Sequence, residues 1–468
     1  MSKHTNKYGY LIFFLIIAIP SFFIITNAII SNSSYDISYK GELPFSLMDN
    51  NWRQDDGDLN FKNPLDNGGK NWTLIFYGAH DNDLSNSIPS IGSNDYIDVI
   101  AIDDGLPYGD TRAAYIHSGG TRTYFNLTEI DPSWSNELNM ANPDTLSIFV
   151  QYCIENYPAN HYWVVLDNHG GAYNGVCTDE TSGPDEILTI GDLKTAFSSI
   201  SSYLGHKFDG IFFAACLMSN LEIAVQLSPY VEYIVGFETT SGGNQLDEDV
   251  VVATFLANPD MSPHEMAIEL IDEAFITETG FMTMSAIKLS IIQDLIDDIN
   301  EFTTLLMDNY QFYGKLIRDA REACDYHGWY DYYSWPLLVD FVDFVEEIYE
   351  RVPGPSIQNS ALNLMSHLVP GDENYAIINN RVGDASDFMT GLSVYFPAYL
   401  TPGFSNYQIE NDFCVLTNWE EFLQVFYENE VNATTQPFDY YYVFFIFLGA
   451  MASLIILTII YNKVFKKR

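Results

Sequence analysis

Residues 162–171 read Tyr-Trp-Val-Val-Leu-Asp-Asn-His-Gly-Gly. The first five form an apolar run without polar alternation, which suits a short strand buried on both faces. The last four break that run with a His and two glycines, which let the backbone turn tightly and a substrate approach closely. Comparable runs occur at residues 72–77, 96–102, 211–215 and 233–237. Helical stripes separate several of them. Residues 143–157 carry Leu146, Phe149, Val150 and Ile154 on one face, and residues 189–204 carry Ile190, Leu193, Phe197 and Ile200. A third, shorter helix is expected over 219–227. Strands alternating with helices predict an α/β fold with a mostly parallel sheet covered on both faces.

From residue 262 to about 349 the periodicity turns helical, with Met266, Ala267, Leu270, Ile271 and Ala274 on one stripe. A late run, Gly391-Leu392-Ser393-Val394-Tyr395-Phe396-Pro397, reads as a strand returning to a core. The organisation expected is a signal peptide or N-terminal anchor over 1–31, a polar stalk over 32–70 and a catalytic core over 71–258. A helical and strand-bearing remainder of the body follows over 259–427, then a linker over 428–438, a transmembrane helix over 439–462 and a tail over 463–468.

The two ends carry the clearest physical signal. Residues 9–30 read GYLIFFLIIAIPSFFIITNAII and residues 440–461 read YYYVFFIFLGAMASLIILTIIY, both uncharged. Each is about long enough to cross a ~30 Å hydrocarbon core as a helix. The second is followed by Lys463, Lys466, Lys467 and Arg468, which places that tail in the cytoplasm. Lys3 and Lys7 place the start of the first segment there too. The body between then lies outside, whether the first segment is retained or cleaved near Ala28 as a signal peptide. Sequons at Asn32, Asn71, Asn126 and Asn432 fit that placement, although Asn71 directly precedes a buried strand.

The chain holds 20 basic and 63 acidic residues, a net charge of −43. That balance excludes nucleic acid as a partner, which needs a basic face against phosphate. It fits a solvated surface, a high-salt surface or one that binds divalent cations. Five cysteines (Cys153, Cys177, Cys216, Cys324 and Cys414) would allow two disulfides and one thiol in an oxidising exterior. No pair has zinc-ligand spacing.

His169 and Cys216 each follow the carboxyl end of a predicted strand, where loops of a parallel sheet line the ligand crevice. Their spacing of 47 residues spans one βαβ unit, so neighbouring strands could bring imidazole and thiol together. Cys216 stands at a strand-to-helix turn, and a helix N-terminus favours a thiolate. A thiol, a base and backbone donors are what nucleophilic catalysis needs. The plainer alternative is a buried core thiol and a loop histidine.

The stretch Trp72-Thr-Leu-Ile-Phe-Tyr-Gly-Ala-His-Asp-Asn-Asp-Leu84 resembles the opening strand of the clostripain family of cysteine peptidases. Asn139-Met-Ala-Asn-Pro-Asp-Thr-Leu146 with Asn156-Tyr-Pro-Ala159, Asn168-His-Gly-Gly171, Ala215-Cys-Leu-Met218 with Glu222, and Gly391 to Pro397 resemble four further motifs of that family, in its order. The resemblance runs from about residue 72 to 422. It implies a caspase-like α/β/α sandwich that hydrolyses peptide bonds of a protein or peptide substrate. Cys216 would be the nucleophile, His169 the general acid or base, and the Gly170 and Cys216 N–H groups the oxyanion site.

Two departures stand out. The family's Asp two residues before the nucleophile, which helps a pocket accept Arg or Lys, is Ala214 here. Glu238, Asp247 or Asp249 could supply an acid instead, against the alternative of solvated loop charge. Between His169 and Cys216 the basic residues are Lys194 and Lys207, in or beside a predicted helix. No self-cleavage after a basic residue is therefore expected in that loop. No cofactor is required; Asp81, Asp83, Asp103, Asp104, Asp179 and Glu180 are candidate calcium ligands, because some relatives use that ion and it takes hard oxygens. The competing functions are a transamidase, in which an amine replaces water at the thioester, and a non-catalytic binding module.

Overall fold

The computed structural model describes residues 69–434, apart from 81–87, 106, 182–185, 241–246, 278–282, 325, 328–336, 371–373, 384–388 and 402–403. Five parallel strands form the centre of a nine-stranded sheet: β1 (Lys70–His80), β2 (Ile97–Gly105), β5 (Ala159–Asp167), β8 (Phe208–Ala214) and β9 (Val231–Gly236). Antiparallel strands extend both edges. β3 (Arg112–Ile116) and β4 (Arg122–Tyr124) lie beyond β2, and β10 (Thr283–Lys288) and β13 (Ile377–Val382) lie beyond β9. The order is β13-β10-β9-β8-β5-β1-β2-β3-β4.

Alternation along the strands divides the core. Ile75 and Tyr77 of β1, Val164 and Leu166 of β5, and Ile211 and Phe213 of β8 face one side. There they meet α1 (Pro143–Asn156), α2 (Ile190–Leu204) and α3 (Leu221–Leu227). Trp72, Leu74 and Phe76, Trp163 and Val165, and Phe212 face the other, against α4 (Glu248–Ala257) and α5 (Pro263–Thr277). This is the period of two expected of a sheet buried on both faces. Each such fully buried large side chain contributes about 1.5–3 kcal/mol.

The remainder of the body adds α6 (Ile292–Asp308), α7 (Tyr310–Ala323), α8 (Phe341–Arg351), α9 (Pro355–Leu368) and α10 (Trp419–Thr434) to the first core. β10 and β13 of this part join the main sheet; β10 interrupts the stretch from 262 to about 349 whose periodicity is helical. The late run forms β14 (Ser393–Tyr395) in a small sheet with β11 (Tyr326–His327) and β12 (Leu338–Asp340). A two-stranded hairpin, β6 (Val176–Asp179) and β7 (Glu186–Leu188), completes the strands. The linker reading over 428–438 meets a helix, since α10 continues to Thr434.

Among the described residues no helix is long and apolar enough to cross a membrane. Both apolar end segments, the stalk up to residue 68 and the basic tail lie outside the described residues. None of the five cysteines forms a disulfide. Cys153, Cys177 and Cys324 are buried, and burial pushes their thiols upward in pKa.

Candidate active site

β5 and β8 run side by side, and their last paired residues are Asp167 and Ala214. His169 and Cys216 each stand two residues further on, on adjacent loops at the carboxyl edge. His169 is exposed and Cys216 half-buried. The loops touch through Gly170: a Cβ there would stand 2.1 Å from the Cys216 carbonyl oxygen and 3.0 Å from Met218 Cγ. Only glycine allows this approach.

The His loop is held from behind by the β6–β7 hairpin. The Cys177 N–H donates to the His169 carbonyl at 3.1 Å and the Gly171 N–H to the Gly175 carbonyl at 2.8 Å. Gly170 lies between them, bridged to Val176 in antiparallel fashion. These bonds make Gly170 and Val176 a non-hydrogen-bonded pair, so the Gly170 N–H points away from the hairpin. Asn168, a buried neighbour whose role the sequence does not signal, fixes the same loop. Its amide donates to the Ala79 carbonyl, and its oxygen accepts from the Thr178 N–H at 3.1 Å and hydroxyl at 2.8 Å.

The Cys loop is strained. Leu217 has φ +67, in the left-handed region that a branched side chain disfavours. The Leu217 N–H donates to the Thr239 carbonyl at 2.9 Å and the Ser219 N–H to that of Phe237 at 3.0 Å. These bonds carry the turn alongside the chain leaving β9 and delay the helix. α3 starts at Leu221, capped by Asn220 accepting from the Ile223 N–H, five residues beyond Cys216. The expected helix from 219 is thus shorter, and the dipole argument for a thiolate does not apply at that distance.

Glu222 is fully buried on α3, and burial raises its pKa. It accepts from the Tyr395 N–H at 2.9 Å and the Tyr407 hydroxyl at 2.7 Å, which ties the late strand to the Cys loop. Tyr173, four residues after His169, packs its ring 4.9 Å from that of Tyr395 and 5.0 Å from that of Tyr407.

Of the other candidate acids, Asp247 and Asp249 stand together at the start of α4, and Glu238 has a backbone partner of its own. Glu238 is buried and accepts the Gly391 N–H at 2.8 Å, so it is not a solvated loop charge. Asp247 is exposed and caps α4. Asp249 accepts from the Ser90 and Ile91 N–H groups at 2.6 and 3.1 Å. Among the calcium candidates, Asp81 and Asp83 lie outside the described residues, and Glu180 is exposed. Asp103 is engaged by His80 and Arg112. Asp104 is pushed up to about 8, by burial first and then by Glu137, Asp179 and Asp110 against it, although the Thr111 hydroxyl opposes the shift. No group of three or more His, Cys, Asp or Glu among the described residues is arranged to hold a metal ion.

Residues 75–426 match the model of the clostripain family of peptidases. The chain belongs to that family. Clostripain of Hathewaya histolytica is 28% identical over 195 residues, covering 34% of this chain and 36% of that protein, so the match spans about a third of its length. A secreted C11 cysteine protease from Bacteroides thetaiotaomicron, solved with an irreversible peptide inhibitor, shares the fold. It has a TM-score of 0.55 and 16% identity over 75% of this chain and 99% of that one. An inactive zymogen C11 protease from Parabacteroides distasonis gives a TM-score of 0.52 and 17% identity over 77% and 99%. The matched residues contain four of the five motifs in full and the first from Ile75 onward.

Proposed function

We propose that this chain is a membrane-anchored cysteine endopeptidase of the clostripain type, with its caspase-like body outside the cytoplasm. The observation that carries the reading is the meeting of the His169 and Cys216 loops, two residues past a registered pair on adjacent parallel strands. Cys216 Sγ attacks the scissile carbonyl, and its proton passes through His169 to the leaving amine. The oxyanion is met by the N–H groups of Gly170 and Cys216. Water then attacks the thioester, giving its hydroxyl to the acyl group and a proton to His169, which returns it to the sulfur. Family membership and the orientation of the Gly170 N–H support this assignment. The uncharged end segments and the basic tail support the anchor.

Lys194, the first basic residue after His169, lies in α2 and pairs with Asp412 at 2.7 Å, which supports an activation that does not depend on cutting there. One experiment tests the whole reading. Membranes carrying the full chain are washed with alkaline carbonate and used to digest a peptide library, beside membranes carrying Cys216→Ala. Cleavage retained after the wash and absent from the variant is expected. Activity that washes off refutes the anchor, and activity that survives Cys216→Ala refutes the nucleophile.

A further inference from the structure

Register aligns four residues across the carboxyl edge of the sheet: Asp103 on β2, Gly78 on β1, Asp167 on β5 and Ala214 on β8. Residues two positions earlier, Ala101, Phe76, Val165 and Phe212, all pack in the same core, so the row faces that side. Gly78 lacks a Cβ because the His80 ring lies over it; an added Cβ would be 2.4 Å from His80 Cε1. From there His80 bridges the row. Its Nδ1 meets Asp103 Oδ1 at 2.5 Å, and its Nε2 meets Asp167 Oδ2 at 3.1 Å. Both ring nitrogens face carboxylates, so both carry protons. The ring is 3% exposed, and its pKa rises to about 10; burial opposes the rise and the two carboxylates outweigh it. Arg112 meets the remaining oxygen of Asp103 at 3.2 Å. Two carboxylates, one imidazolium and one guanidinium sum to zero charge.

The last two positions of this row immediately precede the reacting loops. A residue two steps along a strand lies about 7 Å away. The side chain before the scissile bond leaves from the carbon next to the attacked carbonyl, so it falls within reach of Asp167 and Ala214. Asp167 is 14% exposed and already shares its charge with His80; Ala214 offers none. Glu238, Asp247 and Asp249 stand outside this row, where they accept from the Gly391 N–H, the first turn of α4 and the Ser90–Ile91 backbone. An ammonium or guanidinium entering here would lose water without gaining an unpaired carboxylate from the row, which is unfavourable.

We infer that the row beneath the residue before the scissile bond carries no net charge in this chain, and that the enzyme cuts after uncharged side chains in preference to Lys or Arg. The inference rests on the peptidase reading above. Its test uses the full chain in detergent and peptides identical except at that position, which carries Ala, Leu, Gln, Lys, Arg or Asp. In the wild type, kcat/KM for Lys and Arg is expected to fall at least about tenfold below the best uncharged residue. Ala214→Asp adds an unneutralised carboxylate, and His80→Gln removes the counter-charge of Asp167. Each is expected to raise the ratio of basic to uncharged cleavage about tenfold or more, a change that general damage to the fold does not produce. A wild type that prefers Lys or Arg overturns the inference, as does a ratio unmoved in both variants. A folded wild type that cleaves none of the peptides removes the peptidase reading, and the inference with it.

Discussion

At position 170 a single methyl group decides whether the two loops can meet. The added carbon of Gly170→Ala would sit 2.1 Å from the Cys216 carbonyl oxygen, so the loops must separate by about an ångström or more. A displacement of that size costs about 100-fold in rate when it misplaces reacting groups. Gly170→Ala is expected to lose about that factor in kcat while circular dichroism stays that of the wild type; unchanged kcat would remove Gly170 from the oxyanion site. Asp104 offers a test that reads stability instead. Its carboxyl is raised from 3.8 to about 8 in the folded chain, so the unfolded chain releases the proton first. The contribution of this group is therefore full below about pH 4 and declines as pH rises to about 8. Asp104→Asn keeps the site neutral, so its Tm relative to wild type is expected to climb between pH 5 and 8 and then level off. A difference constant with pH would show that Asp104 is ionised in the fold.

The residues that carry the motifs were legible because each interrupts an apolar run at a predicted strand end, as His169 and Cys216 do. Their partners were not. His80 lies 23 residues from Asp103 and 87 from Asp167, and only the register of three strands brings the groups together. Glu238 lies two residues past β9 and reads as loop charge, but the fold buries it against Gly391.

At the scale of elements, the five central strands were legible as continuous apolar runs, and α1 and α2 as regular stripes. β10 and β13 were not, because Thr283–Lys288 and Ile377–Val382 are short and partly polar, and they pair antiparallel with each other across 95 intervening positions or so. α3 starts late because backbone bonds from Leu217 and Ser219 to Thr239 and Phe237 take the place of a first helical turn. The β6–β7 hairpin is the element that sets the His loop, and Asn168 is its fastener. Asn168→Ala leaves the Thr178 N–H and the Ala79 carbonyl without this partner, at a cost of about 1–3 kcal/mol. Urea denaturation is expected to show that loss together with a lower kcat; a fall in stability with kcat unchanged would separate the hairpin from the chemistry.

For the whole molecule, the mostly parallel sheet puts every candidate catalytic group at one edge, and the bodies on its two faces have different tasks. The face of α1 to α3 carries the Cys loop and, through Glu222 and Tyr395, the late strand. The face of α4 and α5 supports the charge-balanced row beneath it. The net charge of −43 is consistent with a solvated body and says nothing of the row at the sheet edge, where Asp103 and Asp167 are matched by His80 and Arg112. The central claim is an acyl-enzyme on Cys216, and trapping with a peptidyl acyloxymethyl ketone tests it most directly by intact mass and peptide mapping. The account predicts one adduct per chain, located on Cys216, absent in Cys216→Ala and slowed at least about 100-fold in His169→Ala. A folded wild type that takes up no adduct, or one labelled equally at Cys414, would contradict it.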